Sequence, residues 1–172
     1  MYQAQQVAST QVRDRRYGER HYGGSMPEAP KPMLSATTDR RCRITLPPAP
    51  ESAGVARDFT AAALRKWHLD PLISDAVLIV SELVTNAINH GTSHADAELG
   101  AGVELTWSYQ VSRLICVITD QVAEPPVMAA ADLESESGHG LQIVAAVAAS
   151  WGWTMLGTGE KAVWAALNLP AR

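Results

Sequence analysis

The stretch SELVTNAINHG, residues 81–91, sets Glu82, Asn86 and His90 at a spacing of four. On a helix that spacing stacks the three side chains along one face, one turn above the next. A carboxylate can take or give a proton or pair with a cation, and a carboxamide offers both a donor and an acceptor. Around them the segment is apolar. Val77, Val80, Leu83, Val84, Ala87 and Ile88 fill one broad arc, Asn89 joins the polar row on the opposite one, and Leu78 and Ile79 flank that row. A helix apolar on nearly every other side is buried, so the row is expected to face a cleft. Neither lysine nor arginine lies on this helix to pair with a carboxylate. A metal-bound water or a ligand is therefore its candidate partner, and the competing reading is a solvated helix face.

The elements that must position this row follow from period and punctuation. CRITL (42–46) alternates as a short strand and stops at Pro47-Pro48, after which Glu51 to Trp67 has helical spacing, with Val55, Phe59, Ala62 and Ala63 on one face. Asp70-Pro71 is a helix start and Gly91 a stop, which places the second helix over about 71–90. VELTWSYQ (103–110) alternates as a half-exposed strand, and RLICVITD (113–120) is nearly continuous in apolar residues, as a central strand is. From Gln121 to Ser137 no period exists, and a loop of that length in a compact domain is a lid or binding loop. Gly138 to Ser150 is helical again, and WGWTMLG with KAVWAALNL reads as a hairpin turning at Thr158-Gly159-Glu160. The order predicts an α/β (α+β) two-layer sandwich: a mostly antiparallel sheet with three helices on one face.

Length and charge bound the rest. At 172 residues one domain is expected, and its charge is split: residues 1–43 hold 8 of the 14 Lys and Arg and 4 of the 18 acids, a tail of +4 on a body of −8. So acidic a body excludes duplex binding by the fold itself, since phosphate affinity needs a basic face. Residues 1–40 lack any period and are rich in Gln, Arg, Gly and Pro, and are expected to be a disordered basic tail ahead of a domain at 41–172. They lack a signal-peptide h-region, and no uninterrupted apolar run approaches the about 20 residues of a membrane span. Cys42 and Cys116 sit in strand-like runs, which together with the above predicts a cytoplasmic chain with reduced, buried thiols and no membrane partner. The oligomeric state is open, a homodimer included.

SELVTNAINHG resembles the N-box of the GHKL ATPases, and specifically of their bacterial anti-sigma-factor branch of small serine-kinase-like regulators. The resemblance implies that Glu82 is the general base for the attacking hydroxyl or water and that Asn86 binds the Mg²⁺ bridging the triphosphate; His90 matches a residue common in the branch, without an assigned chemistry. VITDQ resembles the first glycine box, which makes Asp120 the acceptor for the adenine amino group. GHGLQIV (138–144) resembles the second glycine box, with Gly138, His139, Gly140 and Leu141 opening a helix under the phosphates. Glycines there permit close backbone approach, and a helix N-terminus offers N–H groups to an anion. His139 itself reads as an exposed loop residue rather than a catalyst. EKAVWAALNLP is similar to the family's last strand, so the match spans about residues 41–170. One departure stands out: the family's Asp-x-Gly-x-Gly is here Asp120, Gln121, Val122, Ala123, Glu124, with both glycines missing, which demands another backbone path beside the base.

Taken with the resemblance, the residues predict Mg-ATP binding between the helices and the 121–137 lid. The implied chemistry is a serine/threonine protein kinase that transfers the γ-phosphoryl to a STAS-type anti-anti-sigma protein, with a sigma factor as second partner, and so regulates transcription. Two rivals remain: a nucleotide-gated protein-binding module without transfer, and a detached sensor histidine kinase domain. The second is disfavoured because no dimerisation helix with a phospho-acceptor His is recognisable. Trp151, Trp153 and Trp164 read as packing, and no His/Cys cluster suggests zinc.

Overall fold

The computed structural model describes residues 13–14, 18–19, 40–91, 102–121, 124–126, 139–157 and 159–170. Its strands are β1 (Arg13–Asp14), β2 (Gly18–Glu19), β3 (Arg40–Leu46), β4 (Val103–Tyr109), β5 (Arg113–Asp120), β6 (Ser150–Met155) and β7 (Lys161–Asn168). The helices are α1 (Ser52–Lys66), α2 (Ile73–Gly91) and α3 (Gly140–Val147), with a 3₁₀ turn at Asp70–Leu72 leading into α2. All pairings are antiparallel, in the order β2-β1-β6-β7-β5-β4-β3. Three helices on an antiparallel sheet make the α+β sandwich the sequence predicts.

Alternation along the strands decides which side chains the helices cover. Leu114, Cys116, Ile118 and Asp120 of β5 are buried, while the residues between them are half-buried. Register carries this face across the sheet: Leu105, Ile118 and Val163 stand in one row, and Trp107, Cys116, Ala165 and Trp151 in the next. Trp164 lies between Val163 and Ala165 and thus on the opposite face, away from the core cluster that Trp151 joins.

On α2 the buried stripe runs Ala76, Ile79, Val80, Leu83, Val84 and Ala87. By length and composition the window Asp70–Asn89, with a mean hydropathy of 1.5, is apolar enough to cross a membrane, although Asp75, Ser81, Glu82 and Asn86 interrupt its apolar run. That stripe packs against the sheet in one continuous cluster, so the apolarity of this helix is spent on the domain's core.

Helix α1 is rotated relative to the face its apolar residues suggest. Val55 is 47% exposed and Ala62 is exposed, whereas Ser52, Ala56, Thr60, Ala63 and Leu64 are buried. The hydroxyl of Thr60 accepts the indole N–H of Trp107 at 2.9 Å, and that buried hydrogen bond fixes which side of the helix meets β4. Small side chains around it allow close approach.

Other boundaries move for local reasons. Strand β3 begins at Arg40, two residues early, with the guanidinium of Arg40 over the Tyr109 ring. Helix α3 stops at Val147 because Ser150 already pairs with Ala166 in the β6–β7 hairpin, which turns through Gly159 at φ +85°. The expected disordered tail contains two described pieces: β1 pairs with β2 and with Ser150 and Trp151 of β6. An open sheet edge supplies backbone partners without requiring an apolar period, so composition gives no sign of such pairing. Both thiols are free; Cys116 is buried, but Cys42 is only half-buried.

Candidate active site

Two side chains of the polar row of α2 meet the start of α3. A Cβ placed on Gly140 would sit 2.8 Å from Glu82 Oε2, 3.1 Å from Asn86 Nδ2 and 3.4 Å from Asn86 Oδ1. Both N-box side chains therefore close on the first turn of α3, in space that only a glycine leaves. His139 precedes it as the N-cap residue, exposed and without a side-chain capping hydrogen bond, so the amide end of this helix is not closed by its own cap. A helix N-terminus between a carboxamide and a carboxylate suits a metal-bridged phosphate, the amides facing the anion and the oxygens the cation.

A cleft of ≈ 200 Å³ opens beside this junction, lined by Asn86, Asp120 and Leu141 together with Glu124, Pro125, Pro126 and Lys161. This is below the about 300–1,000 Å³ of a site for a drug-sized ligand. Glu82 is not on its wall; it stands one turn before Asn86, against Gly140. Asp120 ends β5 directly opposite Lys161 of β7. Their charged groups pair at 3.4 Å with Asp120 2% and Lys161 5% exposed, and Lys161 Nζ also donates to the Glu124 carbonyl at 3.1 Å. So deep a carboxylate requires such a partner, because desolvation without pairing costs several kcal/mol.

The chain matches the family model of the histidine kinase-like ATPase domain over residues 46–166. It belongs to that family. No curated protein matches it. Membership in the histidine kinase-like ATPases assigns an ATP-binding domain of the GHKL type, and four of the site residues expected from sequence, Glu82, Asn86, Gly140 and Leu141, meet at the α2–α3 junction of this ATPase fold. Asp120 lines the same cleft from the sheet. His139 is at the helix start but exposed, and Gly138 and the side chain of His90 lie outside the described residues, as does most of the 121–137 lid.

Lys161 is the site residue that the motifs do not reveal. Its signal was nonetheless present: a lysine opening the apolar run KAVWAALNL, at the position that hairpin and strand register set against Asp120. The carbonyl of Glu124 accepts from this ammonium, which ties Glu124 to the start of β7.

The residues fit Mg²⁺ held mainly by a nucleotide. Among the described residues no three His, Cys, Asp or Glu side chains gather around a common point, so Asn86 would be the protein's oxygen ligand and phosphates and water the remainder. Such an ion would neutralise charge on the phosphate oxygens.

Proposed function

We propose that this domain binds Mg-ATP with its base at Asp120 and its phosphates at the α3 N-terminus, and is a cytoplasmic serine/threonine protein kinase of the anti-sigma-factor type. The observation that carries this reading is the convergence of Glu82 and Asn86 on Gly140. Asn86 would hold the metal at the phosphate end of the nucleotide, and that ion would supply charge neutralisation there. Glu82 accepts the proton of an incoming serine or threonine hydroxyl as the oxygen bonds to the γ-phosphorus and the bond to the bridging oxygen breaks, releasing ADP. Such a transfer is mostly positioning and charge stabilisation, within the reach of one base, one metal and a helix end. The acceptor would be a STAS-type anti-anti-sigma protein, and a sigma factor the partner held in its absence.

A specific feature favours the second reading, a nucleotide-gated binding module without transfer: Glu82 lies off the cleft wall, and the loop after Asp120 lacks both glycines. Two measurements decide. Titration with Mg-ADP, followed by calorimetry and melting, should give saturable binding, adding about 2.7 kcal/mol of stability at 100 times the dissociation constant; no heat and no shift would remove the nucleotide site. Incubation with γ-labelled ATP and purified STAS-domain proteins should then label a serine or threonine. Binding without label on any acceptor would leave the module.

A further inference from the structure

The sheet has two faces, and the helices account for one. α1, α2 and α3 cover the face that carries Trp107, Cys116 and Ala165. On the opposite face, register sets Ile115, Ala166 and Ser150 in one row and Val117, Trp164 and Gly152 in the next. An antiparallel sheet with one solvated face alternates apolar and polar residues, whereas β5 and β7 are apolar on both. Ala162 and Ala166 on this second face are 6% and 2% exposed, although neither belongs to the core cluster under the helices. Ser150 Oγ, on the same face, is buried without a hydrogen-bond partner.

We propose that this second face is a docking surface whose occupant is residues 20–39 of the same chain, laid across the sheet over Trp164. The strand order requires a crossing. β2 ends at Glu19 on one edge of the sheet and β3 begins at Arg40 on the other. Seven strands make six spacings of about 4.8 Å, a distance of about 29 Å. Residues 20–39, fully extended, reach about 66 Å, which spans the sheet with slack. One route over the sheet is taken by the helices, and the other is the apolar face. The composition of the segment suits lying on that face. Pro27, Pro30 and Pro32 have no backbone N–H to give to a ladder and favour extended backbone, and Tyr22, Met26, Met33 and Leu34 supply apolar side chains. Methionine fills irregular apolar surface and packs well against an aromatic ring such as that of Trp164. A segment laid flat over a sheet needs neither a helical nor a strand period, in keeping with the absence of both from this part of the sequence.

The test is NMR of the full chain carrying isotope-labelled methionine methyls, with Met26 and Met33 assigned by substituting each with leucine. At least one of the two methyls should lie upfield of its random-coil position and show a nuclear Overhauser contact to the indole of Trp164. Trp164→Leu should remove that upfield shift. Circular dichroism checks that this variant folds; if it does not, the contact in the wild type decides. A glutamate-specific protease gives an independent reading: cleavage after Glu28 should be slower by about tenfold or more in the full chain than in a peptide of residues 20–39. Random-coil positions for both methyls, or cleavage as fast as in the peptide, overturn the inference. Contacts from the methyls to α1, α2 or α3 in place of Trp164 also overturn it, since they put the crossing on the helix face. So do contacts seen only between differently labelled copies, which give the face to a second molecule.

Discussion

The Glu82 carboxylate lies 2.8 Å from where a Cβ would sit on Gly140, so a side chain at the start of α3 and the proposed base on α2 exclude each other. Gly140→Ala is thus expected to separate stability from function. Alanine is the better helix former, and the contact it forces is with the movable end of a glutamate rather than with backbone. The melting temperature should hold or rise slightly, while affinity for Mg-ADP falls at least tenfold as Glu82 and Asn86 are pushed aside. Paired melting and titration curves check this; unchanged affinity would mean that the space at Gly140 serves packing alone.

How far the sequence carried the fold depended on which interaction set each element. The stripe of α2 comes from apolar burial, which has a period, and was legible: Val80, Leu83, Val84 and Ala87 are core; β5 was legible as a central strand from its apolar run, but the alternation that leaves Ile118 between half-buried neighbours was not. The face of α1 was not, because it is set by one polar bond, from Trp107 to Thr60, between residues 47 apart. In the site the same division holds. Glu82, Asn86, Asp120 and Gly140 were singled out because local motifs carry them, and the fold brings them to the cleft or to the helix start beside it. Lys161 was missed because its meaning arises only when β7 lies beside β5 and puts an ammonium against a carboxylate. Strand pairing of Arg13–Asp14 is invisible for a related reason, since backbone hydrogen bonding to an edge imposes no side-chain pattern.

Thr60→Val tests the polar bond that orients α1. Valine fills the same volume but leaves the indole N–H of the fully buried Trp107 without its acceptor. A loss of about 1–3 kcal/mol in urea unfolding is expected. Neither residue lines the cleft, so the dissociation constant for Mg-ADP should be unchanged in the folded variant. A neutral substitution would show that another contact sets the rotation of α1.

Alkaline pH should weaken the fold through Cys116. Burial pushes its thiol far above the ordinary value of 9.0, because the thiolate cannot be solvated between β4 and β7. With the folded pKa raised, the unfolded chain gives up this proton first. The stabilisation is complete below about pH 9 and is lost as pH rises above it, at up to about 1.4 kcal/mol per pH unit. Cys42 is shifted in the same direction, chiefly by desolvation, with the Trp107 backbone hydrogen bond and Lys66 opposing. Comparing urea midpoints of the wild type and Cys116→Ala from pH 7 to 10.5 isolates the buried thiol: the wild type should lose stability more steeply above pH 9. Parallel curves would mean that the thiol ionises without unfolding.

The two side chains that close on Gly140 have separable duties, and substituting each distinguishes an enzyme from a holder. Asn86 lines the cleft and would bind the metal of the resting complex, so Asn86→Ala should weaken Mg-ADP and Mg-ATP directly. Glu82 stands off that wall and, as the proposed base, would act only as the acceptor hydroxyl loses its proton. Glu82→Ala should keep nucleotide affinity within a few-fold of wild type and reduce phosphoryl transfer by about 10²–10⁴. Titration and single-turnover labelling with γ-labelled ATP give the two readouts on the same preparation. Should Glu82→Ala lose nucleotide binding as fully as Asn86→Ala does, the carboxylate belongs to the ground-state site and its role as base falls. Should the wild type bind ATP, label no acceptor, and change only its retention of a sigma factor in both variants, the kinase reading falls and the nucleotide-gated module takes its place.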